Sequence, residues 1–206
     1  MTAHKNYFAS FGYYDELERV TNQAMRFEVF DKIVVYGDNY LKHERDFWEK
    51  HGRFIQKNPN YHGCAFWKPY IILKTFEIMN YNDILLYCDA CCQLNADGKQ
   101  TLLECIDILS LNDKCLSCFQ TRSQEIFSNI QLLKKTEKTI SFLREWTKLE
   151  CEHCSHVLKN DNDGNDDDGF IEHYDDKSIF SSLCKKKGAI VLDGETYCSP
   201  WVNDGI

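Results

Sequence analysis

An almost continuous apolar run lies near the middle of the chain and ends in a carboxylate: Asp83-Ile84-Leu85-Leu86-Tyr87-Cys88-Asp89. A strand with one solvated face alternates apolar and polar residues, whereas a central parallel strand is covered on both faces and is apolar throughout. The run therefore predicts a central strand of a parallel sheet. Asp89 would then lie at the rim of that sheet, where the strand ends.

Strand and helix patterns alternate in the segments around this run. Two further strands are predicted over 7–12 and 30–38, where β-branched and aromatic residues lead into a Gly. Helical spacing of apolar residues predicts helices over 15–28 (with Asp15 as N-cap), over 40–57, from about Pro69, and over 100–111. This order predicts an α/β fold with a mainly parallel central sheet and helices on both faces.

The second half of the sequence is less regular. A short strand followed by a helix is predicted over 126–150, and another helix over 177–187. Between them, residues 160–169 contain five Asp and no basic residue, which predicts a solvated, flexible loop at about 159–169. A chain of 206 residues fits one core, so we expect a single domain over 1–206.

Composition excludes several classes of partner and location. The formal net charge is −8, five of the negative charges lie in the Asp-rich loop, and no basic stripe is present, so nucleic acid is not expected as a partner. No apolar stretch reaches 18 residues, so no membrane span is expected. The N-terminal residues form no apolar signal region, which favours a cytoplasmic protein.

Eleven Cys residues are present, an odd number, which favours free thiols in a reducing compartment. Two pairs, Cys115/Cys118 and Cys151/Cys154, have the spacing of zinc ligands, and His156 is close to the second pair. Neither pair lies in a Gly-rich knuckle, so scattered thiols are the main interpretation. A zinc-stapled interaction module stays open as an alternative.

Ligands of parallel sheets bind outside the carboxyl ends of the strands. This rule brings together three predicted strand ends, at Phe11-Gly12, Tyr36-Gly37-Asp38 and Cys88-Asp89-Ala90. Asp89 could hold a hard divalent cation against a diphosphate there. Lys68, at the start of the helix before that strand, could neutralise phosphate together with the helix N-terminus. A helix or turn cap for Asp89, and a surface position for Lys68, are the simpler interpretations.

Three segments, 63–70, 79–90 and 170–185, resemble a family of small glycosyltransferase-like proteins of bacteria and large DNA viruses. That family's pattern reads approximately G-Y-x-x-W-K-P, then D-x-x-x-Y-x-D-A-G, and later E-H-R-H-D-Q-S. The family is similar to nucleotide-sugar transferases, so the resemblance implies a Rossmann-like GT-A (nucleotide-diphospho-sugar transferase) fold. It also implies a glycosyltransferase that uses a UDP- or GDP-sugar with Mn²⁺ or Mg²⁺ and acts on a glycan or protein acceptor.

The resemblance also implies roles for individual residues. Asp89 opens a DxD-like site for metal and diphosphate, with Cys91 at its third position. The chemistry of the reaction would allow His173 to complete the metal shell, although a lone His before a helix is more often a cap or a surface residue. Donor contacts are expected at the strand ends and the helix start, namely Phe11, Gly12, Tyr36, Gly37, Trp67 and Lys68. Asp176, or else Asp175, is expected to act at the anomeric carbon, as a base or as a stabiliser of an oxocarbenium-like state.

This sequence departs from the family pattern in the same motifs. Cys91 stands where true DxD enzymes have Asp, and Asp175 and Lys177 stand where the late motif has His and Gln. The stretch between Cys118 and Ile126, where acceptor-side residues are expected, is also shorter than in relatives. A catalytically inactive GT-A-like binding or scaffold protein would show Cys91 in place of the second carboxylate together with this shortened region. It is therefore kept as an alternative function.

Overall fold

The computed structural model describes residues 4–58, 65–114, 116–120, 126–162, 176–193 and 201–203. At its centre lies a six-stranded sheet. In spatial order its strands are β2 (Lys32–Gly37), β1 (Asn6–Gly12), β3 (Ile84–Cys88), β6 (Ile126–Lys134), β5 (Leu116–Gln120) and β7 (Ile190–Asp193). Within this sheet β6 runs antiparallel to both of its neighbours, and the other five strands share one direction. The predicted α/β fold with a mostly parallel central sheet is confirmed.

The helices cover both faces of the sheet. They are α1 (Tyr14–Phe27), α2 (Tyr40–His43), α3 (Arg45–Lys57), α4 (Lys68–Glu77), α5 (Lys99–Leu111), α6 (Glu137–Asn162) and α7 (Asp176–Lys187). A short 3-10 turn (Ala96–Gly98) precedes α5, and β4 (Cys92–Leu94) pairs with β8 (Trp201–Asn203) in a small antiparallel sheet. Helices α1 and α5 pack on one face, and α3, α4, α6 and α7 pack on the other.

Strand β3 is the centre of the core, as its apolar run predicts. It lies between β1 and β6, and each of its five residues is at most 1% exposed. Leu85 and Tyr87 belong to one hydrophobic cluster, whereas Ile84, Leu86 and Cys88 belong to the cluster on the opposite face. Because successive side chains of a strand point to opposite faces, a strand buried on both sides must be apolar at every position.

Helix α1 begins differently from the prediction. Its N-cap is Tyr13, with extended backbone (φ −79°, ψ 158°) and no side-chain capping hydrogen bond. Asp15 is therefore not the N-cap. It lies in the first turn beside Glu16, where a carboxylate is stabilised by the positive end of the helix dipole.

The single helix predicted over 40–57 is broken at Glu44, whose backbone (φ −80°, ψ 85°) separates α2 from α3. The Glu44 carboxylate accepts a hydrogen bond of 2.5 Å from the Tyr70 hydroxyl and lies 3.1 Å from Lys74 Nζ. Both partners belong to α4. The break thus ties the α2–α3 corner to a helix that is distant in sequence, a contact that local helical spacing cannot reveal.

Helix α6 is longer than predicted. Its backbone continues to Asn162, so residues 159–162 are helical rather than part of the predicted loop. Residues 163–169 of that loop lie outside the described part of the chain. Within that part, none of the helices combines the length and apolarity that a membrane crossing requires.

We expect the Glu44 contacts to make stability depend on pH. Burial alone would raise the pKa of Glu44, but hydrogen bonds from Tyr70, Lys74 and Tyr40 outweigh burial and lower this pKa below its ordinary 4.5. A lowered folded-state pKa adds stability above the unfolded-state pKa, and that stability is lost as the pH falls through the folded-state value. Glu44→Gln should thus reduce the free energy of unfolding by roughly 1–2 kcal/mol at neutral pH, and by less in acid.

Urea denaturation of both proteins between about pH 7 and about pH 3 measures this difference. Glu49→Gln is the matched control, because its ion pair with Arg45 is exposed (61% and 86% for the two side chains) and contributes little. A loss of stability in Glu44→Gln that stays constant across this pH range would contradict the lowered pKa assigned to Glu44.

Candidate functional site

Three strand ends meet at one edge of the sheet, as predicted. In the parallel register of β1 and β2, Gly12 lies opposite Gly37, and β1 also pairs in parallel with β3. Gly12 approaches the segment after β3 so closely that a Cβ atom at this position would lie 2.6 Å from the Ala90 Cβ. Phe11-Gly12, Tyr36-Gly37 and Asp89-Ala90 therefore share the carboxyl edge, where ligands of such sheets bind.

Lys68 and Asp89 form an ion pair at this edge. Lys68 is the first residue of α4, and its Nζ donates a 3.0 Å hydrogen bond to Asp89 Oδ2. The same Nζ lies 3.5 Å from Ser128 Oγ of β6, and the Tyr87 hydroxyl donates to Asp89 Oδ1 at 2.7 Å. The Lys68 side chain is 2% exposed and the Asp89 side chain 20%. The ammonium is thus held behind a carboxylate that reaches solvent.

The chain after β3 is held as a tight turn. The Asp89 N–H donates to Asn129 O at 2.8 Å, and the Cys92 N–H donates back to Asp89 O at 3.0 Å. From α1, the Arg19 guanidinium donates to Ala90 O at 2.7 Å and to Cys92 O at 3.0 Å. These bonds fix the backbone from which the Asp89 side chain projects.

Arg19, Ser128 and Asn129 are contributors that the sequence does not single out. In the sequence, Arg19 is indistinguishable from any surface residue of a helix. Ser128 and Asn129 belong to a strand that is distant in sequence from Asp89. The register between β3 and β6 explains why Ser128 and Asn129 lie beside Asp89. Cys88 pairs with Ile130, so the first residues of the antiparallel β6 extend past the end of β3 and form a wall beside the site.

The aromatic residues predicted to contact a donor lie beneath the strand ends. The rings of Phe11 and Trp67 pack with their centroids 3.9 Å apart and are almost fully buried. Tyr36 is buried as well, and its hydroxyl shares a 3.0 Å hydrogen bond with Thr75 Oγ1. These rings support the edge from below rather than offering an exposed stacking surface. Donor contact by these residues and by Gly37 stays a prediction.

Cys91, the third position of the DxD-like motif, is exposed. Its hydrogen bond with Cys92, together with partial burial of the thiol and the nearby Asp89 charge, raises the pKa of the Cys91 thiol. The group is therefore a neutral thiol at pH 7, and hard cations such as Mg²⁺ prefer oxygen ligands. Cys91 does not replace the missing carboxylate.

The described donor set does not fit a hard divalent cation. Both carboxylate oxygens of Asp89 already have partners, and no group of three or more His, Cys, Asp or Glu side chains is arranged for metal binding within the described residues. His173 and Asp175 lie outside that part of the chain. Asp176 is the first residue of α7, but its side chain lies outside that part as well. Their predicted roles stay predictions.

The two described cysteines of the zinc-like pairs have different surroundings. Cys118 is buried in the sheet, and its Sγ lies 3.6 Å from Ile190 O, whereas Cys151 Sγ lies 3.5 Å from His51 Nε2. Cys115 and the side chains of Cys154 and His156 lie outside the described part. The zinc-stapled alternative therefore gains no support from the cysteines that are described.

The Cys151–His51 pair is not an activated nucleophile. Burial, with the charge of Glu150, raises the pKa of Cys151 to about 11. Burial also lowers the pKa of His51, so both groups are neutral at pH 7. The pair lines a cavity of about 720 Å³ between α3, α4 and α6, and none of the predicted site residues lines that cavity.

Comparison with solved structures finds the same architecture elsewhere. A glycosyltransferase involved in the glycosylation of the major capsid of PBCV-1 aligns with a TM-score of 0.53 and 12% identity, over 92% of this chain and 83% of that one. The bifunctional IspDF from Campylobacter jejuni aligns at a TM-score of 0.41 and 13% identity over 92% of this chain and 50% of that one, too weakly to carry an argument. No family model and no curated protein matches the sequence. At 12% identity the first likeness concerns the fold, which agrees with the expected GT-A type.

We expect Gly12 to be required for the edge geometry. Gly12→Ala would place its Cβ 2.6 Å from the Ala90 Cβ and 3.1 Å from Glu16 Oε2. Relieving this overlap must displace the turn that carries Asp89, and overpacking of this kind costs about 1–3 kcal/mol.

Gly37→Ala is the matched control at the neighbouring strand end, because no heavy atom lies within 4 Å of its Cβ position. Urea unfolding should show a loss of stability for Gly12→Ala and a change within about 0.5 kcal/mol for Gly37→Ala. Equal stabilities of the two variants would contradict the close approach of Gly12 and Ala90.

Proposed function

We propose that the protein transfers a sugar from a nucleotide-diphosphate sugar to an acceptor. The observation that carries the proposal is the Lys68–Asp89 ion pair at the carboxyl edge of a mostly parallel sheet. Ligands of such sheets bind at this edge, and a nucleotide sugar brings a diphosphate that needs a positive partner. The glycosyltransferase fold found by comparison supports the same reaction class.

The chemistry of sugar transfer suits the charges at this edge. The bond between the anomeric carbon and the diphosphate oxygen breaks, a bond to an acceptor oxygen forms, and negative charge develops on the leaving diphosphate. Lys68 supplies a fixed positive charge there, and the N-terminal end of α4 adds the partial positive charge of its dipole. Because Lys68 is buried, solvent screens its charge less than that of a surface lysine.

In this proposal Asp176 is the carboxylate that acts at the anomeric carbon, and its neighbour Asp175 is the alternative. It removes the proton of the acceptor hydroxyl or stabilises the oxocarbenium-like state. The chain path supports the assignment. Strand β7 is parallel to β5, and α7 leads into the amino end of β7 through Gly188 and Ala189. A helix that leads into a parallel strand usually begins near the opposite, carboxyl edge of the sheet.

The finer assignments are proposals of the same kind. The donor is a UDP- or GDP-sugar, and the acceptor is a glycan or a protein. The Mn²⁺ or Mg²⁺ that the family resemblance implies stays a prediction.

A non-catalytic binding protein on the same frame is the second candidate. It is favoured by the neutral thiol of Cys91 at the place of the second DxD carboxylate, together with the hydrogen bonds that both Asp89 oxygens already accept. Such a protein would bind nucleotide sugars without turning them over. A transferase, in contrast, hydrolyses its donor slowly when no acceptor is present.

We expect Asp176→Asn to lower donor hydrolysis by about 10²–10⁴-fold while the affinity for the donor changes little. The reason is that a group acting at the anomeric carbon contributes mainly in the transition state. The measurement is release of UDP or GDP from a panel of nucleotide sugars, combined with calorimetric binding of the same donors.

Asp107→Asn, which changes an exposed carboxylate of α5, is the control and should behave as the unmodified protein. Asp175→Asn shows which of the two neighbouring acids acts. Binding of a donor without any hydrolysis would favour the scaffold function. The absence of both binding and hydrolysis for every nucleotide sugar would overturn the proposal.

A further inference from the structure

We propose that the Lys68 ammonium takes the place of a divalent cation, so that this site binds the diphosphate of its donor without a metal ion. This inference rests on the proposed function, because it concerns how the same donor is held. It departs from the metal-assisted reaction that the family resemblance implies.

The hydrogen-bond partners of Asp89 argue against a divalent cation bound to this carboxylate. Mg²⁺ lies about 2.0–2.1 Å from its oxygen ligands and needs near-octahedral oxygen coordination. Asp89 Oδ2 already lies 3.0 Å from Lys68 Nζ, so a cation bound to this oxygen would lie within about 5 Å of the ammonium. Two positive charges at this distance repel each other, and the burial of the ammonium limits the screening of this repulsion.

The neighbouring positions do not offset that repulsion. Asp89 Oδ1 accepts the Tyr87 hydroxyl, and the residue two positions further along is Cys91 rather than a carboxylate. Among the described residues, one carboxylate against one ammonium gives a neutral pair. A site built for a divalent cation would instead gather an excess of negative charge.

The Lys68 ammonium is held in one position, as a bound metal ion would be. Lys68 is 2% exposed, begins α4 just before Pro69, and is bounded by Asp89 on one side and Ser128 Oγ on another. The long side chain is therefore ordered before any ligand arrives, which removes the entropy cost of fixing it on binding. Preorganised positive charge of this kind is what a leaving diphosphate requires.

Access to the ammonium runs past Asp89. The Asp89 side chain is 20% exposed, whereas its backbone is held by Asn129 and, through the turn, by Arg19. In this proposal the Asp89 carboxylate rotates away, and Lys68 Nζ donates to a phosphate oxygen instead. The diphosphate thus exchanges for Asp89 as the partner of the ammonium.

The test is calorimetric binding of UDP and GDP to the full chain, in excess EDTA and in excess Mn²⁺. We expect the same dissociation constant within about threefold in the two conditions. Lys68→Met keeps the volume and the apolar stem but removes the charge, so binding in EDTA should weaken by about 10- to 100-fold. Mn²⁺ should restore part of that loss, because Asp89 Oδ2 is then free to bind a cation.

Lys74→Met is the matched control, because Lys74 lies on the same helix but is paired with Glu44 and Glu77. It should bind as the unmodified protein does in both conditions. Thermal melts establish whether each variant is folded. If Lys68→Met does not fold, the comparison of EDTA with Mn²⁺ on the unmodified protein decides by itself.

The outcomes separate the two proposals. Binding that requires Mn²⁺ overturns the inference and leaves the proposed function standing. Metal-free binding that is unchanged in a folded Lys68→Met also overturns the inference. If neither UDP, GDP nor their sugars bind in either condition, the proposed function fails, and the inference that rests on it fails too.

Discussion

Lys68 and Asp89 form an ion pair in which the ammonium is almost fully buried and the carboxylate reaches solvent. The contact joins the start of α4 to the end of β3, and Ser128 and Tyr87 complete it from β6 and β3. A buried charge without these partners would be costly, because desolvation favours its neutral form. The pair can therefore persist only where the sheet edge and the helix start are correctly assembled. The hydrogen bonds of this edge, including those from Arg19 to the turn after β3, hold the backbone that carries Asp89 in place beside Lys68.

Stability alone does not explain such a pair. Apolar residues of similar volume often replace a buried ion pair at no cost to stability, whereas removing one partner is strongly destabilising. The pair moreover lies at the carboxyl edge, where this class of sheet binds ligands, rather than in the middle of the core. A fold of this type supports many activities, so the function has to be argued from the site. Because a buried ion pair is weak evidence for a role in stability, its place at the ligand-binding edge is the physical reason to propose a role in donor binding.

Local patterns predicted the helical segments and four of the described strands (β1, β2, β3 and β6), but they missed β4, β5, β7 and β8. The apolar run of β3, the Gly-terminated strands β1 and β2 and the helix that begins at Lys68 follow from residue type and spacing, and each is confirmed. Three predictions were wrong for different reasons. Residues 159–162 of the predicted loop belong to α6, whose backbone continues to Asn162. Tyr13 rather than Asp15 caps α1, because first-turn acids and capping acids look alike in sequence. The helix predicted over 40–57 breaks at Glu44, because the carboxylate there bonds to Tyr70 and Lys74 of another helix.

By itself, the sequence determined the α/β class and the two residues of the central ion pair, because an apolar strand that ends in a carboxylate and a helix that begins at a lysine are local features. Tertiary structure alone decided that these residues meet at 3.0 Å, and that Arg19 and Asn129 fix the turn that follows β3. The physical reason is register. Residues far apart in the chain come together only once strands pair and helices pack, and pairing is set by the burial of whole faces rather than by any short motif.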